Sequence, residues 1–337
     1  MGTILFKKHT FANHLHEIIG YKSGVATSIE QMCDLLSGSG FEDNIISSET
    51  YGIRIRSEDY DRLYYTLLHK IGVTDKPFWG IFEIFDFNKK IENKYGFDFG
   101  KSITDIYYRN IKIETENAIK EGRNLLNPEK MMKEAFITHG KIGLNVIIQL
   151  IEINDNVMKH SPHTMMKFHQ YSNIVNLSDL FDQYNPIAEE GTFLDQRFID
   201  YLSNNTEKLG DIHWRKFEEL TAECFKRFGY KVSLGPGSND DGVDLRVWHE
   251  TKEGAPNYII QCKRVKSKID KVVIKGLYTD IIHEGCELGF LVTSSELSLG
   301  ARSTIDARSY PIEEVNKSKI IQWLKELRTP GTGIIRL

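Results

Sequence analysis

Over its last third the chain alternates short apolar runs with helical patterns, and this alternation restricts the fold more than any other feature. Residues 230–234, 243–248, 258–265, 288–293 and 311–315 read as strands, and helical spacing fills 212–228, 270–284, 297–308 and 317–327. In the first helix Trp214, Phe217, Leu220, Thr221, Cys224 and Phe228 share one face, and Gly229 ends it. Strands joined through helices near the C-terminus need crossover connections. The expectation is therefore an α/β domain with helices covering both faces of the sheet.

Ahead of this region the pattern is mostly helical with a small β component. The polar stretch 203–211, whose only large apolar residue is Leu209, is the expected boundary: residues 1–205 form a mostly helical α+β domain and 206–337 the α/β domain. Thr27 and Glu30 have capping-box spacing in front of Ile29, Met32, Leu35 and Leu36, with Gly38 as the stop. Ser57 is placed to cap a helix carrying Tyr60, Leu63, Tyr64, Leu67 and Leu68, closed by Gly72. Residues 142–158 are apolar enough for a buried helix, and 51–56 alternate as a strand does. Phe78, Trp79, Phe82, Phe85 and Phe87 are read as core, with base stacking as the alternative.

A length of 337 residues favours two domains, and 40% apolar with 27% charged residues is ordinary for a soluble globular chain. No run approaches the roughly 18 uninterrupted apolar residues of a membrane span, and the first eight residues lack a signal-peptide pattern. A cytoplasmic protein without a membrane partner is expected. Cys33, Cys224, Cys262 and Cys286 form no C-x-x-C pair, which argues against a structural zinc site and a disulfide framework. From Thr206 onward there are 21 Lys and Arg against 19 Asp and Glu, whereas the earlier residues hold 22 against 28. The basic excess gathers in Lys263, Arg264, Lys266, Lys268, Lys271 and Lys275, opposed there only by Asp270. Such a stripe suits a phosphate backbone, although a solvated helix start has the same composition.

Asp244 follows the turn-like Asn239-Asp240-Asp241-Gly242, and seventeen positions later the strand 258–260 runs into Gln261-Cys262-Lys263. Alternation along a strand puts Gln261 and Lys263 on one face and Ile260 and Cys262 on the other, one face for chemistry and one for core. A lone Asp near Gly is ordinarily a turn residue, and a lone Gln-x-Lys is ordinarily a solvent face. Together they supply what metal-assisted phosphodiester hydrolysis requires. Asp244 offers a hard oxygen to Mg²⁺, the Gln261 side-chain carbonyl a neutral second ligand, and Lys263 a cation for the charge that builds at phosphorus. Glu218, on the flank of the 212–228 stripe, adds a third oxygen, and adjacent Glu219 takes its place if that helix is rotated. Histidines are weaker candidates. His14, His16 and Glu17 point in different directions on a helix, and His160, His163 and His169 flank Pro162 without a partner carboxylate in a known motif.

These segments resemble the Mrr-like branch of the PD-(D/E)xK nuclease superfamily. The resemblance runs through Trp214-Arg215-Lys216-Phe217-Glu218-Glu219-Leu220, Phe228-Gly229-Tyr230-Lys231-Val232, Asp241-Gly242-Val243-Asp244 and Gln261-Cys262-Lys263-Arg264. It continues in Phe290-Leu291-Val292-Thr293-Ser294-Ser295 and Ala301-Arg302, and covers only the C-terminal part. It implies a restriction-endonuclease-like fold, Mg²⁺ dependence with Mn²⁺ as a substitute, DNA cleavage and a place in defence against foreign DNA. It also implies that Glu218, Asp244, Gln261 and Lys263 stand at the family's active-site positions. The loop 235–240 departs from the family pattern and bears on substrate entry.

The resulting expectation is a Mg²⁺-dependent DNA endonuclease whose first 205 residues, too acidic in bulk to grip DNA, sense a target, protein or small-molecule signal. Arg264, Lys266, Lys268, Lys271 and Lys275 are the expected nucleic-acid contacts. Cutting both strands needs two sites or two turnovers, so a homodimer or larger homo-oligomer is expected. The alternative is a DNA-binding or scaffold subunit that does not cut.

Overall fold

The computed structural model describes residues 2–123, 126–166, 171, 173–182, 191–237, 242–249 and 254–328. The chain begins with β1 (Thr3–Phe6), α1 (Thr10–Ser23), β2 (Val25–Ala26), α2 (Ile29–Leu35), α3 (Glu42–Ser48), β3 (Ile53–Arg56) and α4 (Ser57–Ile71). Three longer helices follow, α5 (Phe82–Tyr95), α6 (Phe97–Lys120) and α7 (Glu129–His160). Then come β4 (Val175–Asn176), α8 (Gln196–Asn204), α9 (Trp214–Arg227), β5 (Tyr230–Leu234), β6 (Leu245–His249) and β7 (Tyr258–Lys263). The last elements are α10 (Lys271–Glu284), β8 (Leu288–Thr293), α11 (Leu299–Arg308), β9 (Ile312–Val315) and α12 (Lys317–Arg328). Contacts divide the chain into two compact units, Met1–Lys22 with Ile46–Thr66 and Lys76–Ser172, and Ser23–Ile45 with Leu67–Asp75 and Asn173–Leu337.

In the first unit β1 and β3 pair antiparallel, and α5, α6 and α7 enclose a core that includes Ile84, Ile91, Ile103, Ile106, Val146, Ile147 and Leu150. The longest helix, α7, bends at Gly140, whose φ of 62° and ψ of −150° interrupt the helical path. By length and composition α7 could cross a membrane. It turns Val146, Ile147 and Leu150 into the core and leaves Ile142 and Met158 about half exposed, so the expected buried helix is amphipathic. The aromatic group is also corrected. Phe78 and Phe87 lie against the core, but Trp79, ahead of α5, is 41% exposed, and Phe82 and Phe85 are 55 and 59% exposed because α5 turns Ile84 and Ile91 inward and so directs these two rings outward.

The second unit holds a mixed five-stranded sheet in the order β5-β6-β7-β8-β9, antiparallel across β5, β6 and β7 and parallel across β7, β8 and β9. On one face Ile259, Leu291 and Ile312 pack beneath Ile274, Leu277 and Ile281 of α10 and Ala301 of α11. On the other, Phe225 of α9 and Trp323 of α12 meet edge to face, and Phe225 also meets Phe290 of β8. Both faces are thus covered, as a strand as apolar as β8 demands. The helix at 29–35 has its capping box one residue later than expected: the Ser28 hydroxyl accepts from the Gln31 amide at 3.2 Å and the Gln31 side chain accepts from the Ser28 amide at 2.9 Å, while Thr27 is buried. The polar stretch 203–211, expected as a boundary, lies inside this unit. Asn205 is buried and donates to the carbonyls of Lys70 and Tyr201, and Leu209 is fully enclosed. The guanidinium of Arg328 donates to the carbonyls of Gly72 and Asp200 and to Asn204, and pairs with Asp75.

Candidate functional site

The site forms where β6 begins and β7 ends. One step before the β6 ladder, Asp244 donates its amide to the Ile260 carbonyl at 3.0 Å, and its Oδ2 accepts from the Cys262 amide at 2.6 Å. The two bonds bracket Gln261, so two residues seventeen positions apart become immediate neighbours. A carboxylate held by a backbone N–H is fixed in direction as well as place. Gly242, at φ 90°, turns the chain just before Asp244, and a Cβ there would stand 3.0 Å from the side-chain nitrogen Nε2 of Gln261. Only glycine tolerates both the conformation and the approach.

Glu218, Asp244 and Gln261 are 6, 8 and 8% exposed, and Lys263 is half-buried at the end of β7. Gln261 shares a face of the sheet with Ile259 of the core, and Cys262 points to the opposite face, where its thiol lies 3.6 Å from the Thr221 hydroxyl of α9. The expected split into a chemical face and a core face is therefore corrected: both sides of β7 are packed, since helices cover both. Glu218 lies one helical turn before Thr221. Burial pushes the Cys262 thiol well up; the charges of Asp244 and Glu218 add to this, opposed by the Thr221 hydrogen bond and the charge of Lys263. Cys262 meets Asp244 through its backbone amide and Thr221 through its thiol, so β7 and α9 come together at this residue with the start of β6.

Glu218 accepts from Arg215 Nη1 at 2.8 Å, whereas Glu219 pairs with the buried ammonium of Lys216 at 2.7 Å. The two neighbouring glutamates face different cations. Arg215 is a part of this site that spacing missed as such, although its three-residue offset from Glu218 is the signal of a helical ion pair.

Among the described residues no group of three or more His, Cys, Asp or Glu is placed to hold a metal ion. A divalent ion here would need the side-chain oxygen of Gln261 beside Asp244 and Glu218. That oxygen is buried and makes no hydrogen bond. Buried carbonyls without a partner are rare, and a hard cation is a suitable partner, so the residues present fit one.

The basic stripe separates. Arg264 donates to the Gly210 carbonyl at 3.1 Å; Lys266 pairs with Asp211 at 2.7 Å and Lys268 with Glu296 at 2.8 Å, while Lys271 and Lys275 are exposed one turn apart on α10. Of the histidines, His14 bonds the Tyr60 hydroxyl, His163 bonds Asp61, and His160 bonds the Asn156 carbonyl at the end of α7. His169, and Asn239, Asp240 and Asp241 of the β5–β6 loop, lie outside the described residues.

Residues 209–324 match the family model Mrr_cat, described as a restriction endonuclease. This segment is an Mrr_cat domain. An uncharacterized protein of Sinorhizobium fredii, y4cE, is 25% identical to the chain over 95 residues, 28% of this chain and 24% of the relative. The chain thus spans about a quarter of that relative's length. The structure of the MspJI restriction endonuclease in complex with a 27-mer oligonucleotide is similar over 55% of this chain and 40% of its own, with 15% identity and a TM-score of 0.28. At that score the likeness adds nothing to the assignment, which rests on the Mrr_cat match and on the sheet that carries Asp244, Gln261 and Lys263.

Proposed function

We propose that the Mrr_cat domain is a divalent-metal-dependent DNA endonuclease, with Mg²⁺ the ordinary ion, and that the residues before it sense a target, partner or signal in a defence system. The observation that carries this reading is the buried, unpartnered oxygen of Gln261 bracketed by the two backbone bonds of Asp244. Asp244, Gln261 and Glu218 would hold the ion. When bound, it would supply Lewis-acid polarisation of the scissile phosphate and a more acidic water. The amide of Cys262 keeps the Asp244 carboxylate aimed at the end of β7. Arg215 pairs with Glu218 at 2.8 Å and so restrains its carboxylate. Lys263, two residues beyond Gln261 on the same strand face, brings positive charge to the phosphate as negative charge grows on it, and orients the attacking water. Lys271 and Lys275 on α10 are placed for longer-range attraction of the backbone.

Incubation with plasmid and Mg²⁺, with and without EDTA, tests the reading. Cutting should need the ion and fall by about 100-fold or more in Lys263→Ala. Plasmid that stays intact across substrates and activators, or undiminished cutting by the variant, would refute it. A second reading, DNA binding without cleavage, draws on the ion pair that already engages Glu218. It requires that Mn²⁺ leave Asp244 and Gln261 untouched in a soaked crystal.

A further inference from the structure

The N-terminus of α9 carries a feature that phosphodiester hydrolysis does not use. Trp214, the first residue of the helix, is 44% exposed although it is among the largest apolar side chains in the chain. Its ring lies beside His213, with centroids 5.1 Å apart, and His213 is fixed in turn because its Nδ1 accepts from the Arg215 amide at 3.2 Å. The indole edge also rests against the backbone of the β5–β6 loop: a Cβ on Gly237, at φ 81°, would come within 3.0 Å of Trp214 and 3.1 Å of the Arg215 guanidinium. The ring is therefore held in place and still open to solvent.

Its surroundings are cationic. The His213 pKa is lowered by partial burial and then by the charges of Arg264 and Lys216. Arg264 donates Nη1 to Gly210, and its Nε is buried and makes no hydrogen bond. The Arg215 guanidinium approaches Gly237 as the indole does, and is bonded to Glu218 one turn along the helix. An exposed indole backed by a half-buried imidazole, with guanidinium groups nearby and one turn from the candidate catalytic carboxylate, has the chemistry that grips a nucleotide: a flat surface for the base and cations for the phosphates beside it.

We propose that Trp214, backed by His213 and flanked by Arg215 and Arg264, is a base-stacking subsite that holds an unpaired or distorted nucleotide next to the candidate cleavage centre. The proposal rests on the nucleic-acid reading of the Mrr_cat domain but not on catalysis. It makes the preferred ligand single-stranded or locally opened, because a base inside an intact duplex does not offer its face to an indole.

Fluorescence anisotropy with a short labelled oligonucleotide, single-stranded and as a duplex, tests this on the full chain in EDTA, where no cutting occurs. Trp214→Ala and Trp214→Leu should each weaken single-strand binding roughly tenfold, while Trp214→Phe stays within about threefold of wild type. The intrinsic tryptophan fluorescence of the wild type should be quenched on binding, and less so in Trp214→Phe. Leu fills the volume without a π-face, so equal affinity for the Leu and Phe variants overturns the proposal, as does wild-type affinity in Trp214→Ala or no binding by the wild type. A wild type that binds in this pattern yet never cuts DNA removes the nuclease reading and leaves the subsite. One that cuts while Trp214→Leu and Trp214→Phe bind alike removes the subsite alone.

Discussion

Single side chains set the balance between stability and chemistry in the site. A buried carbonyl without a partner lowers stability by about 1–3 kcal/mol, so Gln261→Leu, close in volume, should raise the urea midpoint by the equivalent of about 1 kcal/mol while abolishing cutting. A variant that loses both stability and activity would mean that the amide oxygen serves the fold. Glu218 and Glu219 should separate as cleanly. Glu219→Ala leaves Lys216 buried without its carboxylate and should cost about 3 kcal/mol in chemical denaturation, whereas Glu218→Gln should leave stability near wild type and reduce cutting. Asp244, Gln261 and Lys263 stood out as candidates in the sequence because a polar interruption of an apolar strand is a local property, and the structure places Asp244 beside Gln261. The bond from Cys262 to Asp244 was not legible there, nor was the orphaned oxygen, because each depends on which strand lies alongside.

At the level of elements, the second half of the chain was readable and much of the first was not. The strands and helices from α9 to α12 fall within two or three residues of their expected positions because each has an apolar period and a stop signal such as Gly229. α5, α6 and α7 begin without such signals: Ile81, Gly96 and Pro128 stand at their N-caps, and none gives a side-chain capping bond. β2 and β4 are only two residues long each, below what alternation can mark. Where a cap is real it should count. Ser28→Ala removes one half of its reciprocal bond and should lower stability by about 1 kcal/mol, read as a shift in thermal midpoint. No shift would mean that Gln31 alone holds the helix start.

For the whole molecule, pH is a test of burial. Burial, opposed by the Gln196 hydrogen bond and then the charge of Arg328, raises the Asp200 carboxyl from 3.8 to about 6. Its folded pKa is above its unfolded one, so its contribution to stability is complete below about pH 3.8 and is lost as pH rises through about 6. Asp200→Asn keeps the oxygen that accepts from Gln196 and should match wild type near pH 4, then exceed it by on the order of 1–3 kcal/mol above pH 7. A difference that does not vary with pH would place the proton elsewhere. The bonds from Arg328 to Gly72, Asp200 and Asn204 have a further consequence during synthesis. Until that arginine clears the ribosome, the Gly72 carbonyl lacks the guanidinium from which it accepts in the folded chain. A polypeptide clipped ahead of Arg328 lacks these bonds, and its segment around Gly72 should open at a lower temperature than in the full chain.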